Sequence, residues 1–225
     1  MNTDEMKRNA AVDSLSFLKD GMVLGVGTGS TVEIFIEELI KRKKEFPNIV
    51  CVSSSNKTKN ILEKNNFKVV DLDDRVDLYI DGADAADYNL ILIKGGGGAL
   101  TREKIVAYNS KKVVIIVDET KIKNNLFEIN VPVEILQFSW KATKKRIEDL
   151  GYKAFLRTFG NETFVTDNGN FILDVDLSSS KEPLMSGRNL KNIPGVIETG
   201  IFENLADILI IGQKNGKVRR ISKIA

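Results

Sequence analysis

The chain has 225 residues, 42% hydrophobic and 28% charged, and its 33 Lys and Arg nearly balance 31 Asp and Glu. A net charge of +2 gives no electrostatic case for nucleic acid or an anionic membrane surface. The short apolar runs fall far below the roughly 20 residues of a bilayer-spanning helix. There is no histidine and a single cysteine, Cys51. This excludes imidazole bases, Ser-His and Cys-His nucleophile pairs, intrachain disulfides and thiolate zinc sites. Acid–base chemistry must fall to carboxylates, lysine or tyrosine. The opening MNTDEMKRNA lacks the apolar core of a secretory signal, so a cytoplasmic location is expected.

In chain order, an N-terminal helix carrying Lys7 is followed by a strand at 22–26 that ends in glycines. Residues 30–44 suit a helix whose broad apolar face holds Val32, Ile34, Phe35, Ile36, Leu39 and Ile40. A strand at 49–52, with Cys51 buried in it, precedes a helix at 57–65. Further strands are expected at 69–72, 78–80, 90–93 and 113–117, with a helix at 102–109. Short apolar runs without strict alternation suit strands covered on both faces, hence a mostly parallel α/β sheet. The pattern changes near 131–133. There follow a strand at 133–136, a helix at 140–150, strands around Phe164 and Phe171, a helix at 183–190 and a strand near Ile197. That βαββαβ order is ferredoxin-like. Strands at 208–211 and 218–221, around an Asn215-Gly216 turn, return to the first sheet. The expected domains are 1–130 with 205–225, and a smaller α+β unit at 131–204.

Ligand-binding loops in an open α/β sheet gather at the carboxyl ends of strands. Four polar loops occupy such positions. The first, Gly25-Val26-Gly27-Thr28-Gly29-Ser30-Thr31, joins a strand to a helix. Its glycines permit close backbone approach, the helix start offers open N–H groups, and Thr28, Ser30 and Thr31 add hydroxyls, so it suits a phosphate. It has no P-loop lysine, and Ser30 replaces the third glycine of a dinucleotide fingerprint. The second loop, Asp81-Gly82-Ala83-Asp84, places two carboxylates at a strand end, suited to sugar hydroxyls, to a magnesium ion or simply to a capped turn. The third, Lys94-Gly95-Gly96-Gly97-Gly98, sets a cation beside a backbone able to approach a ligand. The fourth, Thr101-Arg102-Glu103-Lys104, puts Glu103 in a helix first turn with Thr101 as its cap; acidic residues there commonly serve only the helix dipole.

Together these loops resemble ribose-5-phosphate isomerase of the A type. The resemblance rests on GVGTGST at 25–31, VSSS at 52–55, DGAD at 81–84 and KGGGGALTREK at 94–104. VPVE at 131–134, VTDNGNFILDV at 165–175 and IPGV at 193–196 extend it nearly end to end. It implies a Rossmann-like domain with a smaller α+β domain. It also implies interconversion of ribose 5-phosphate and ribulose 5-phosphate, in the non-oxidative pentose phosphate pathway, with no metal or organic cofactor. The partner it implies is a small sugar phosphate, and the assembly a homodimer or homotetramer. Glu103 aligns with the family's base, and Thr28, Gly29, Ser30 and Thr31 with its phosphate segment. Asp81, Gly82, Ala83 and Asp84 align with the loop that contacts sugar oxygens, and Lys94, Gly95, Gly96 and Gly97 with another substrate loop. Lys121 and Lys7 match lysines near the phosphate. Ala85 and Gly98 depart from a common Glu and Ala.

The expected chemistry is ring opening assisted by Asp81 or Asp84, then proton transfer between C2 and C1 by Glu103, with Lys94 and glycine-loop N–H groups facing the charged oxygen. Two other readings compete. A non-catalytic sugar-phosphate sensor would dispense with Glu103 and carry a DNA-binding segment, for which the N-terminus leaves no room. A nicotinamide dehydrogenase would need the intact glycine fingerprint and an acidic residue after the second strand, where Ser53-Ser54-Ser55 stands instead.

Overall fold

The computed structural model describes residues 1–223; the last two residues of the expected 205–225 segment lie outside the described residues. The first half runs α1 (Thr3–Ser14), β1 (Val23–Val26), α2 (Ser30–Lys41), β2 (Val50–Ser53), α3 (Asn56–Lys64), β3 (Lys68–Val69), β4 (Leu78–Asp81), β5 (Ala85–Ala86), β6 (Leu92–Ile93), α4 (Leu100–Tyr108) and β7 (Val113–Asp118). The second half runs β8 (Val131–Ile135), α5 (Trp140–Asp149), β9 (Lys153–Leu156), β10 (Thr158–Phe159), β11 (Glu162–Thr163), β12 (Phe171–Asp176), α6 (Pro183–Lys191), β13 (Val196–Thr199), β14 (Ile201–Phe202), β15 (Ile208–Gly212) and β16 (Val218–Ser222).

Seven strands form the central sheet in the order β3-β2-β1-β4-β7-β15-β16. Every neighbouring pair is parallel except the β15–β16 hairpin. Its inner strands are apolar on both sides because both faces are covered. Leu24, Ile80, Val114 and Ile116 meet Ala10 and Ala11 of α1 and Phe35 and Leu39 of α2. Tyr79, Ile115 and Val117 meet Leu100, Val106 and Ala107 of α4 on the opposite face. Cys51 is buried in β2, and burial pushes its thiol up to about 12. The chain steps outward from β1 to β3, returns to β4 and proceeds the other way. This Rossmann-like reversal opens a crevice at the carboxyl ends of β1 and β4, where open sheets bind ligands.

A second, antiparallel sheet has the order β13-β8-β12-β9. With α5 and α6 it encloses Val131, Val133, Ile147, Leu173, Val175 and Leu190, giving the ferredoxin-like βαββαβ unit.

Several elements differ from expectation. Residues 90–93 do not join the parallel sheet: β6 pairs antiparallel with β5 and β14 in a small third sheet. The Asp87 carboxylate accepts from Asn89 N and Ile91 N, so the residues before β6 form a side-chain-capped turn. The strand expected around Phe164 lies earlier, at β9. A short ribbon, β10 and β11, turns at Gly160 (φ 60) before Phe164 is reached. The helix from Ser30 stops at Lys41, with a 3-10 turn at Lys43–Glu45 beyond it, and β3 ends at Val69 rather than at residue 72. The fourth helix starts at Leu100 with Ala99 at its N-cap, so Thr101 does not cap it, although Glu103 keeps its place in the first turn.

Candidate active site

The crevice between β1 and β4 continues into a small open cleft. Its anion-binding end is built from the 27–31 loop. A Cβ on Gly27 would stand 1.9 Å from Asp81 Oδ1, so only glycine lets the loop cross β4 this closely. Gly29 occupies the N-cap position of α2 with φ 122 and no side-chain cap, which leaves the first helical N–H groups open to an anion. Thr28, Gly29, Ser30 and Thr31 line the cleft, and Lys121 joins them from the 3-10 turn Glu119–Lys121 after β7. Lys7 does not line the cleft. Its Nζ donates to Ser30 Oγ at 3.1 Å, placing a cation behind the loop.

Gly82, Ala83, Asp84, Lys94, Gly95, Gly96, Gly97 and Glu103 line the rest of the cleft. Asp84 accepts from Gly96 N at 2.7 Å, which pins the glycine loop over the carboxylate. A Cβ on Gly96 would lie 2.5 Å from Asp84 Oδ1, so this approach also requires glycine.

At the base of the cleft Lys94 and Glu103 meet Asp81, and all three side chains are buried. Lys94 Nζ stands 2.8 Å from Asp81 Oδ2, 3.2 Å from Glu103 Oε2 and 2.7 Å from the Gly82 carbonyl oxygen. Burial opposes the Lys94 charge, but Asp81 and Glu103 outweigh it and hold the ammonium protonated more firmly than an ordinary lysine. Glu103 is 3% exposed. Burial pushes its carboxyl up to about 8; Lys94 pulls it down and Asp81 pushes it up. The cluster holds two carboxylates and one ammonium, and this excess of negative charge adds to burial in raising the Glu103 carboxyl.

Asp81 and Lys94 sit deeper than the loops around them. Asp81 was expected to meet sugar oxygens. It is 0% exposed and does not line the cleft. Its Oδ1 accepts from Gly82 N at 2.7 Å and Thr28 N at 3.1 Å, and its Oδ2 from Tyr79 Oη and Lys94. All of its accepting capacity is used inside the protein. Lys94 was expected to face a developing oxyanion. Its Nζ donates to the Gly82 carbonyl and stands in ion-pair contact with Asp81 and Glu103, so from the cleft wall it holds both carboxylates.

The family model for ribose 5-phosphate isomerase A (phosphoriboisomerase A) matches residues 50–216. This chain belongs to that family. It is 44% identical over 214 residues to ribose-5-phosphate isomerase A of Bacillus mycoides, covering 94% of this chain and 97% of the relative. It is 42% identical to the protein of that name from Pyrococcus horikoshii, covering 96% and 97%. A solved D-ribose-5-phosphate isomerase in complex with phospho-erythronic acid superposes with a TM-score of 0.93 at 41% identity, covering 99% of this chain and all of that one. Ribose 5-phosphate isomerase from Plasmodium falciparum gives 0.92 at 33% identity, with 99% and 100% covered.

Two residues of the site were not singled out from sequence. Tyr79 is fully buried, and burial followed by the Asp81 and Glu103 charges raises its phenol well above the usual range, so it remains a donor to Asp81. Its position two residues before Asp81 on β4, hence on the same strand face, was a readable signal. Ser54 meets Thr28 Oγ1 at 2.9 Å and steadies the phosphate loop from the end of β2; nothing in the SSS run distinguishes it from its neighbours.

Proposed function

We propose that this chain interconverts D-ribose 5-phosphate and D-ribulose 5-phosphate through an enediolate, with Glu103 as the proton carrier. The observation that carries this reading is a cleft-lining glutamate whose carboxyl is pushed up to about 8. A base titrating near the working pH transfers protons in both directions effectively. The phosphate would bind at Thr28, Gly29, Ser30, Thr31 and Lys121, with Lys7 supporting from behind. This end of the cleft is remote from the reacting carbons, so its binding energy fixes orientation.

With the sugar ring opened, a step for which Asp84 is the cleft-facing carboxylate, Glu103 takes the proton from C2. The C2–H electrons form the C1–C2 double bond, and charge collects on the former carbonyl oxygen O1. O1 gains a proton, O2 gives up its own, and Glu103 returns its proton to C1, leaving the carbonyl at C2. Gly97 lines the cleft, and its N–H is a candidate donor to the developing charge. Phospho-erythronic acid, held by the solved relative, joins a planar carboxylate to a phosphate on a short carbon chain. An enediolate phosphate likewise joins a planar, anionic, two-oxygen end to a phosphate.

The test is direct. Purified protein incubated with ribose 5-phosphate and a chelator should form ketose, and Glu103→Gln should bind substrate yet lose nearly all turnover. Parent-like turnover in Glu103→Gln refutes the assignment. We further propose that 1–130 with 205–225 serves as the catalytic unit and 131–204 as its companion. Following the family resemblance, the protein would work in the cytoplasm as a homodimer or homotetramer without a cofactor. Among the described residues no helix is long and apolar enough to cross a membrane.

A further inference from the structure

The first turn of α4 carries Glu103, yet Ala99 gives that helix no side-chain cap. Its position is set from outside. Arg102 donates from Nε to Asn168 Oδ1 at 2.7 Å and from Nη2 to the Asp167 carbonyl at 2.8 Å. Lys104 donates to Glu198 Oε1 at 2.9 Å and to the Thr199 carbonyl at 2.7 Å. Thr101 donates to Glu134 Oε2.

Glu134 is the unusual partner. It lies on β8, is 0% exposed, and has no part in the chemistry proposed above. Its Oε1 accepts from Thr166 Oγ1 at 2.8 Å, Asn170 Nδ2 at 2.9 Å and Asn168 Nδ2 at 3.1 Å. All four of these partners are neutral. A buried carboxyl group is costly unless its oxygens are satisfied; here three donors come from one turn of the α+β unit and the fourth from the helix bearing the base. The same turn, 166–170, receives Arg102. Glu134 therefore joins the ferredoxin-like sheet to the residue two positions before Glu103.

We propose that Glu134, acting through the Thr101 hydroxyl, is a positioning residue that fixes the first turn of α4 and thereby sets the Glu103 carboxylate against Lys94 and the substrate. The inference rests on Glu103 being the proton carrier. A displacement of about 1 Å at a reacting group costs on the order of 100-fold in rate, so a link that only steadies the turn has catalytic weight without touching substrate.

Thr101→Val keeps the side chain's shape and removes the link, while the other three Glu134 partners remain. Expected is a fall in kcat of about tenfold with KM changed less than about threefold, together with a downward move of the acid limb of the pH–rate profile as water reaches Glu103. Thr101→Ser, which restores the hydroxyl, should recover both. Parent-like kcat in Thr101→Val, a loss that Thr101→Ser does not recover, or an unmoved limb overturns the proposal. If Thr101→Val fails to fold, Glu134→Gln decides. Its amide oxygen can take the three donors while its NH2 turns to Thr101 Oγ1, so the link survives and turnover within about threefold of the parent is expected; a tenfold loss overturns it. Glu103→Gln measured alongside separates the two readings. An inactive Glu103→Gln with a fully active Thr101→Val sinks only the positioning role.

Discussion

Glu103 Oε2 stands 3.2 Å from Lys94 Nζ, and that ammonium is already matched by Asp81 at 2.8 Å. The cation is shared, and Glu103 is the less favoured partner. One uncompensated negative charge in a nearly water-free pocket makes Glu103 a far stronger base than the free side chain, whose pKa is about 4.3. The acid limb of kcat/KM should therefore fall near pH 8. Asp81→Asn removes the competing carboxylate, frees Lys94 for Glu103 and should move that limb to lower pH with reduced kcat. A pH–rate series on both proteins checks this; a parent limb near pH 4, or an Asp81→Asn limb moved upward, contradicts it.

The same burial has a stability consequence of definite sign. The Glu103 carboxyl in the folded protein, near 8, lies above the 4.5 of an unperturbed glutamate. Below about pH 4.5 both folded and unfolded chains hold the proton and no penalty exists. Between these values the folded chain retains a proton that the unfolded chain has released, so stability falls as pH rises, and the loss is complete above the folded value. Glu103→Gln does not titrate. It should match the parent near pH 4.5 and exceed it increasingly up to pH 8–9, by on the order of a few kcal/mol. Denaturant titrations at three pH values measure the difference; a gap that is constant or widens toward acid would contradict the burial argument.

Much of this site was legible in the chain because its loops are continuous. Glycines next to hydroxyls at 27–31, paired carboxylates at 81 and 84, and a lysine before the glycines at 94 each announce a strand end; the parallel sheet brings the first two together, and the small β14-β6-β5 sheet brings the third. Depth was not legible. Asp81 and Asp84 differ by three positions, yet one is sealed and the other faces the cleft, because Asp81 is still in β4 while Asp84 follows the turn. The partners of Glu134 lie more than 30 positions away along the chain, and only the packing of the two sheets joins them. Short strands such as β5 and β14 pair across sequence gaps and have too few residues to show a period.

Lys121 lines the anion-binding end of the cleft without touching the carboxylate cluster, so its effect should fall on binding. A charge-assisted hydrogen bond to an anion contributes about 1.5–3 kcal/mol, which corresponds to about 10–100-fold in affinity. Lys121→Ala should raise KM, and the inhibition constant for inorganic phosphate, within that range while kcat changes less than about threefold. A fall in kcat at unchanged KM would contradict a role confined to binding.

The fold around Gly98 accounts for a glycine at that position. A Cβ at 98 would lie 2.3 Å from Phe164 Cζ, and Gly98 has φ 82, a conformation that side chains disfavour. The Phe164 ring is itself covered by the Arg157 guanidinium at 5.9 Å, and Arg157 donates to the Gly95 carbonyl oxygen and pairs with Asp174. The ring is held in place, so Gly98→Ala meets both a clash and backbone strain. It should lose about 1–3 kcal/mol of stability. Phe164→Leu in that background should relieve the clash and leave the strain, giving a double mutant more stable than the sum of the single changes predicts. Denaturant unfolding of the four proteins in this cycle provides the check. Strict additivity would mean that residue 98 and the Phe164 ring do not meet in solution as they do in the structure.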